Sequence, residues 1–359
     1  MPPTYAQARS RNSRRVPFVA AVFAGLEDIM NSKACRHVLV FVSFWLLTIS
    51  AAVQVHAQAD KYPSKPVKVI ADSAAGSTPD VVMRLVADRL SQIWGQQVVV
   101  VNFPGAGGSI AARNASESAP DGYTLYAPVL STFVSLPGAP PNLPIKVPRD
   151  FIAIGFTAEN PMFVAAAPNL GIKTLPDLIA RAKQRPGEMS YAVTGVGRLT
   201  HLTGELLQSQ TDIKLLMVPY TGGPAHAISD VISGRVAFII EGYSGIAGAI
   251  ESGKVKAIAV ASTKRLAEFP DLPTIAETIP GFQATGWQVV VAPLGTPESI
   301  ISKVSEDLRK VVSDPELQKK IATRGSYARA MSPSEATEFV QAQQRMWQPA
   351  VAKMAPKPN

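Results

Sequence analysis

The chain has 359 residues, 47% of them hydrophobic and 17% charged, which is too apolar and too sparsely charged for a disordered or nucleic-acid-wrapping polymer. The length suits two domains, each able to bury its own core. The formal charge of +8 is concentrated at the front, where Arg9, Arg11, Arg14, Arg15, Lys33 and Arg36 face only Glu27 and Asp28 in residues 1–57. The 29 basic and 25 acidic residues beyond make no nucleic-acid footprint.

From His37 to Ala59 there is no Asp, Glu, Lys or Arg, and Val38 to Val53 is an apolar run of 16 residues. That run falls short of the about 20 apolar residues that usually span a bilayer. It is followed by the small-residue patterns Val55-His56-Ala57 and Ala57-Gln58-Ala59, so residues 1–57 read as a leader with a cleavable signal peptide, a retained anchor being the alternative. Met30 opens a normal signal sequence and is the expected start. A twin-arginine reading of Ser13-Arg14-Arg15-Val16-Pro17-Phe18 is weakened by Glu27 and Asp28, which cut its apolar run short. The only cysteine, Cys35, lies in this leader, so the mature chain is expected to have no disulfide, thiol nucleophile or cysteine metal site.

Past Asp60, short apolar runs alternate with helix-period segments between Gly and Pro clusters, the pattern of an α/β protein. Val67 to Ile70 predicts a strand, residues 71–77 a loop, and Thr78 an N-cap with Pro79 at the first helical position. The helix that follows is expected to bury Val82, Leu85, Val86, Leu90 and Ile93. Tyr191 to Thr194 predicts a second strand, Gly195-Val196-Gly197 its loop, and a helix begins near Leu199. Leu215 to Val218 predicts a third strand, residues 219–223 its loop, and Pro224 opens a helix that ends before Gly234. A strand feeding a glycine-bearing loop and then a helix start gathers free backbone N–H groups and the positive end of the helix dipole. Such junctions attract carboxylate or phosphate without needing a lysine, although any α/β protein has turns of this kind.

Nucleotide chemistry is disfavoured: no Gly-x-x-x-x-Gly-Lys-Ser/Thr occurs, and Gly105-Ala106-Gly107-Gly108-Ser109-Ile110 lacks the third glycine of a dinucleotide fingerprint. His201 and His226 have no HExxH and no third ligand nearby, so no metal is expected. Gly245-Ile246-Ala247-Gly248 is no nucleophile elbow, and no Ser/His/Asp set emerges. The residues offer binding chemistry, with no cofactor and no catalytic residue expected.

Eight segments stand in one order: Tyr62-Pro63-Ser64-Lys65-Pro66-Val67, Asn102-Phe103-Pro104-Gly105-Ala106-Gly107-Gly108-Ser109, Ala119-Pro120-Asp121-Gly122-Tyr123-Thr124-Leu125, Arg149-Asp150-Phe151, Gly195 to Leu202, Val218-Pro219-Tyr220, Leu272-Pro273-Thr274 with Glu277, and Ala292 to Pro297. From Tyr62 to about Trp347 the chain thereby resembles the extracytoplasmic receptors of the tripartite tricarboxylate transporter family, also called Bug proteins. The resemblance implies an α/β, two-domain periplasmic binding protein of Venus-flytrap type II form, with two crossovers between domains near Asn160 to Phe163 and Gln283 to Trp287. Domain one is then 58–160 with 287–359, including helices around Ile300 to Val312 and Pro333 to Trp347, and domain two is 161–286.

In that family two loops from opposite domains pinch a carboxylated small molecule. Carried over by position, the first loop is Ala75, Gly76, Ser77 and Thr78 with Asp80; the second is Thr194, Gly195, Val196 and Gly197 with Thr200 and His201 behind it. Tyr220, Thr221 and Gly222 line the neighbouring junction, Ser131 and Thr132 occupy a polar loop, and Glu241 stands where the family commonly has aspartate. Each has a bland alternative: Asp80 serves only the helix dipole, His201 only a helix start, Glu241 only a surface, Trp287 only the core, and residues 104–109 only a packing turn.

Two departures bear on specificity. The first loop, Asp72 to Ser77, lacks the aromatic residue and both prolines common in the family, and Asp72 brings negative charge near a site expected to take carboxylate. Arg198, where the family usually has a small residue, offsets that charge or is a solvated loop arginine. The expectation is a monomeric periplasmic receptor that passes a small organic acid to an inner-membrane permease of one large and one small subunit, with no nucleic-acid partner. A receptor that docks on a sensor kinase and an exported enzyme of similar fold are the alternatives.

Overall fold

In a computed structural model that describes residues 62–135 and 139–353, the alternating pattern folds as a ten-stranded mixed sheet with helices packed against it. The leader, with its cleavage patterns, Met30 and Cys35, lies outside the described residues. Among the described residues no helix is long and apolar enough to cross a membrane.

Strand β1 (Val67–Ala71) runs into α1 (Thr78–Trp94), whose N-cap is Ser77, in extended conformation, one residue earlier than the sequence suggested. Pro79 sits in the first turn, where its missing N–H costs nothing, and Gly95 closes the helix at φ +62° by returning its N–H to the Ser91 carbonyl. The buried stripe is Val82, Met83, Val86, Ala87 and Leu90. Leu85 falls to the side of this stripe and is only partly buried, while Ile93, in the last turn, is 51% exposed.

There follow β2 (Val98–Asn102), α2 (Ser109–Ser116), β3 (Thr124–Ala127), the single-turn α3 (Leu130–Phe133) and β4 (Phe151–Ala166). Next come α4 (Leu175–Gln184), opened by a Thr174/Asp177 capping box, then β5 (Ser190–Val193), α5 (Leu199–Thr211), β6 (Leu216–Pro219) and α6 (Pro224–Ile232). The chain continues through β7 (Phe238–Gly242), α7 (Tyr243–Glu251), β8 (Lys256–Val260) and β9 (Thr285–Pro293). It ends with α8 (Glu298–Val312), α9 (Pro315–Ala322), β10 (Tyr327–Ala328) and α10 (Pro333–Lys353).

The strand order is β2-β1-β3-β9-β4-β7-β5-β6, with β8 and β10 also on β4. Strands β1, β2 and β3 are mutually parallel, as are β5, β6 and β7, so the loops after β1, β5 and β6 leave from the carboxyl ends of parallel strands. This is where α/β sheets bind ligands. The described residues from Pro63 onward form one compact unit. What divides the sheet is β4: up to Pro161 it pairs with β9, and from Met162 on it pairs with β7 and β8. Asn160 lies opposite Gly286 and Pro161 opposite Thr285. One 16-residue strand therefore belongs to two half-sheets, and the loops of the two halves face each other across it.

Gly204, inside α5, shows how tightly that helix rests on β5. A Cβ there would lie 2.3 Å from the fully buried Tyr191 ring. Gly204→Ala is expected to cost about 1–3 kcal/mol through overpacking, read from urea denaturation midpoints. A midpoint equal to that of the wild type would mean that α5 shifts freely.

Candidate functional site

Each of the two pincer loops is organised by the residue at the third position of the helix it enters. In the first, the Asp80 carboxylate accepts hydrogen bonds from the Gly76 N–H (2.9 Å), Arg84 Nε (3.0 Å) and Asn102 Nδ2 (2.8 Å). Asn102 Nδ2 also donates to the Ser73 carbonyl at 3.0 Å, and Ser77 Oγ donates to the Ala74 carbonyl at 2.7 Å. In the second loop, His201 Nδ1 accepts from the Gly197 N–H at 3.1 Å, and Thr200 Oγ1 accepts from the Thr194 N–H at 3.2 Å. On its other side His201 Nε2 faces Glu205 at 3.6 Å, which holds that carboxyl below its usual range. The amides of Gly76, Ser77, Thr194 and Gly197 are thus spent inside their own loops. What they supply is rigidity.

Between the loops lie two adjoining cavities. The outer one, about 360 Å³, is bordered by Pro104, Ala106, Leu143, Val196 and neighbouring residues; the inner one, about 70 Å³, is floored by Trp287, Asn160 and Glu241. Ala74, Ser131, Thr194 and Arg198 border both. Glu241 is buried, and its carboxylate accepts from Thr194 Oγ1 at 2.7 Å and from the Gly242 N–H at 2.9 Å. Burial pushes that carboxyl above its usual range, against the lowering effect of these two bonds. Ser73 Oγ and both amide atoms of Asn160 are buried without a partner.

Arg198 crosses from one half-sheet to the other. Its Nη1 donates to Ser131 Oγ at 3.1 Å and lies 3.5 Å from Asp72 Oδ2, while Nη2 donates to the Asp72 carbonyl. Among the ion pairs of the described residues, this one alone joins the two halves. Asp72 Oδ2 also accepts from Thr132 Oγ1, from Tyr126 Oη (3.3 Å) and from the Val129 N–H (3.4 Å). Burial first, and then the Asp72 charge, push the Tyr126 hydroxyl well up.

Of the sequence-predicted residues, Ser77, Ser131, Thr194, Gly195, Val196, Gly197, Arg198, Thr200, Thr221 and Glu241 border a cavity. Ala75, Gly76, Thr78, Asp80, Thr132, His201, Tyr220 and Gly222 do not. Thr78 Oγ1 accepts from the Gly245 N–H at 3.3 Å, a contact to the opposite half. Thr132 is spent on Asp72, and the Tyr220 hydroxyl donates to Asp230 at 2.6 Å. Trp287 floors the inner cavity and also packs on Phe133 and Phe339. Sequence reasoning placed Asn160 and Ser73 near the site without assigning them to it, and missed the lining role of Leu143 and of residues 104–107.

Because Glu241 has a folded value above its unfolded one, its ionisation costs stability: the penalty is absent below the unfolded value and grows as pH rises toward the folded one. Glu241→Gln keeps a partner for both Thr194 and Gly242. Its melting temperature is expected to gain on the wild type as pH rises above the ordinary carboxylate range, and a gap that shrinks with rising pH would refute the buried-carboxylate account.

A sequence profile described as the tripartite tricarboxylate transporter family receptor matches residues 82–355. Protein BugT of Bordetella pertussis is 32% identical over 89% of this chain and 98% of its own length. Among solved structures, the R. palustris protein Rpa4515 with adipate is 30% identical with a TM-score of 0.77, covering 81% of this chain and 97% of its own. The periplasmic binding protein BugD is 31% identical with a TM-score of 0.75, over 81% of this chain and 98% of its own. The α/β fold is thus that of periplasmic solute-binding proteins. The chain belongs to the tripartite tricarboxylate transporter receptor family, the Bug proteins.

Proposed function

We propose that the protein is an exported periplasmic receptor that captures a small carboxylated compound between its two half-sheets and delivers it to an inner-membrane permease of one large and one small subunit. The observation that carries this reading is the pair of adjoining cavities, enclosed by loops from both halves and holding buried polar atoms that have no partner within the chain. Adipate in the Rpa4515 neighbour supports the carboxylate class. The halves act as the two domains, 58–160 with 287–359 and 161–286, and hinge where β4 and β9 pass between them. Ligand contacts made to both at once favour the closed arrangement over the open one. The receptor works as a monomer and carries out no covalent step, its chemistry being capture and release.

A thermal-shift screen against aliphatic and aromatic mono- and dicarboxylates, amino acids and amides tests this. A ligand that binds only the folded state raises the melting temperature by mass action. A clear rise with one class of carboxylate is the expected result. No rise with any carboxylate would overturn the reading.

A further inference from the structure

We propose that Arg198 is the carboxylate anchor of this cleft, and that the cleft selects a single carboxylate carried on an otherwise apolar body. The proposal rests on the receptor reading and narrows its ligand class. Arg198 is the one cation among the described residues that border either cavity. Two buried carboxyls, Asp72 beneath it and Glu241 in the inner chamber, already match or exceed its charge. A second ligand carboxylate would find no cation, and an unpaired buried charge is strongly penalised.

Arg198 is also placed to change partners. Asp72 Oδ2 has three other donors, Thr132, Tyr126 and Val129, which it keeps when Nη1 turns to a ligand, while Asp72 Oδ1 is buried without a partner in either case. The gap between Arg198 Nη1 and Asp72 Oδ2 is already 3.5 Å. A ligand carboxylate at the junction of the two cavities would take the guanidinium in a charge-assisted hydrogen bond, with Ser131 Oγ beside it. From the inner side, Ser73 Oγ and Asn160 Nδ2, both buried and unpartnered, can donate to its oxygens. The inner chamber of about 70 Å³ has room for little more than that group. The rest of the ligand then lies in the outer cavity against Pro104, Ala106, Pro140, Leu143 and Val196, which favour a hydrocarbon.

The test is isothermal titration of the purified protein, processed as the cell leaves it, with three probes of equal chain length: hexanoate, adipate and hexanamide. Wild type is expected to bind hexanoate at least about tenfold more tightly than adipate or hexanamide. Arg198→Ala should lose about tenfold or more of its hexanoate affinity while hexanamide is unchanged, erasing the preference for the acid. Arg198→Lys keeps the charge but cannot span Ser131 and the Asp72 carbonyl together, so it should lose at least about threefold on hexanoate alone. Adipate binding as tightly as hexanoate, or either variant keeping the full acid-over-amide preference, would overturn the proposal and leave the receptor reading standing. Failure of every carboxylate in the wider screen to bind the wild type would instead bring down the receptor reading, and this proposal with it.

Discussion

Gly195→Val is expected to abolish ligand binding while leaving the chain folded. Gly195 has φ +148°, a conformation that β-branched residues do not adopt without strain, and a Cβ there would lie 2.9 Å from Arg198 Cγ. The substitution therefore distorts the second loop and expels the Arg198 side chain packed beneath it. Both borders of the cleft on that side are lost together, so affinity should fall by about 100-fold or more. Local backbone strain of about 1–3 kcal/mol should lower the ligand-free melting temperature by only a few degrees, because α5 and β5 pack elsewhere. Titration of the wild type and the variant with whichever carboxylate shifts the wild type is the direct measurement. Affinity within about threefold of the wild type would remove the second loop from the site.

The largest loss of stability is expected from Trp287→Ala. Trp287 is 2% exposed, with ring centroids 5.2 Å from Phe133 and 5.3 Å from Phe339, and its Nε1 donates to Gln343 at 3.0 Å. It ties β9 to α3 and α10, which lie far apart in sequence. Truncation loses the burial, leaves a cavity and strands Gln343, for a cost of about 3–5 kcal/mol. Equilibrium urea denaturation would show this as a lower midpoint at nearly unchanged slope. Since the same ring floors the inner cavity, ligand affinity should fall as well. A loss under about 1 kcal/mol would mean that this corner of the core repacks freely.

Much of the architecture is local and was therefore legible. The three strand–loop–helix junctions stand within a residue of their expected bounds because β-branched runs, glycine loops and helix-start prolines act over a few residues. The N-cap moved from Thr78 to Ser77, which holds the extended backbone of that position while its hydroxyl donates to Ala74 and leaves the helix start uncapped by a side chain, and Thr78 meets Gly242 and Gly245 of the opposite half. Pro161 reads as a break in a strand, yet β4 runs through it, since proline stands where the strand changes partners and a missing N–H costs least.

The candidate site divides in the same way. Both glycine amides that close their own loops, Gly76 onto Asp80 and Gly197 onto His201, use a partner four residues on, at the third position of the helix. That shared spacing was present in the sequence, and an i, i+4 search would have found it. Asp72 and Arg198 stood out only as departures from the family pattern. That Arg198 offsets the Asp72 charge was one of two readings open in the sequence, and only the fold decided between them, because the two residues are separated by 126 positions and lie on different half-sheets.

The sequence by itself determined the α/β class, the places of the loops that border the cleft and the resemblance to a receptor family, since each is written in short-range pattern or collinear order. Only the tertiary structure decided which polar groups remain available to a ligand. That depends on where β4 changes partners and on which side chains from distant segments satisfy one another there, and Arg198, Ser73 and Asn160 owe their place in the cleft to this long-range pairing.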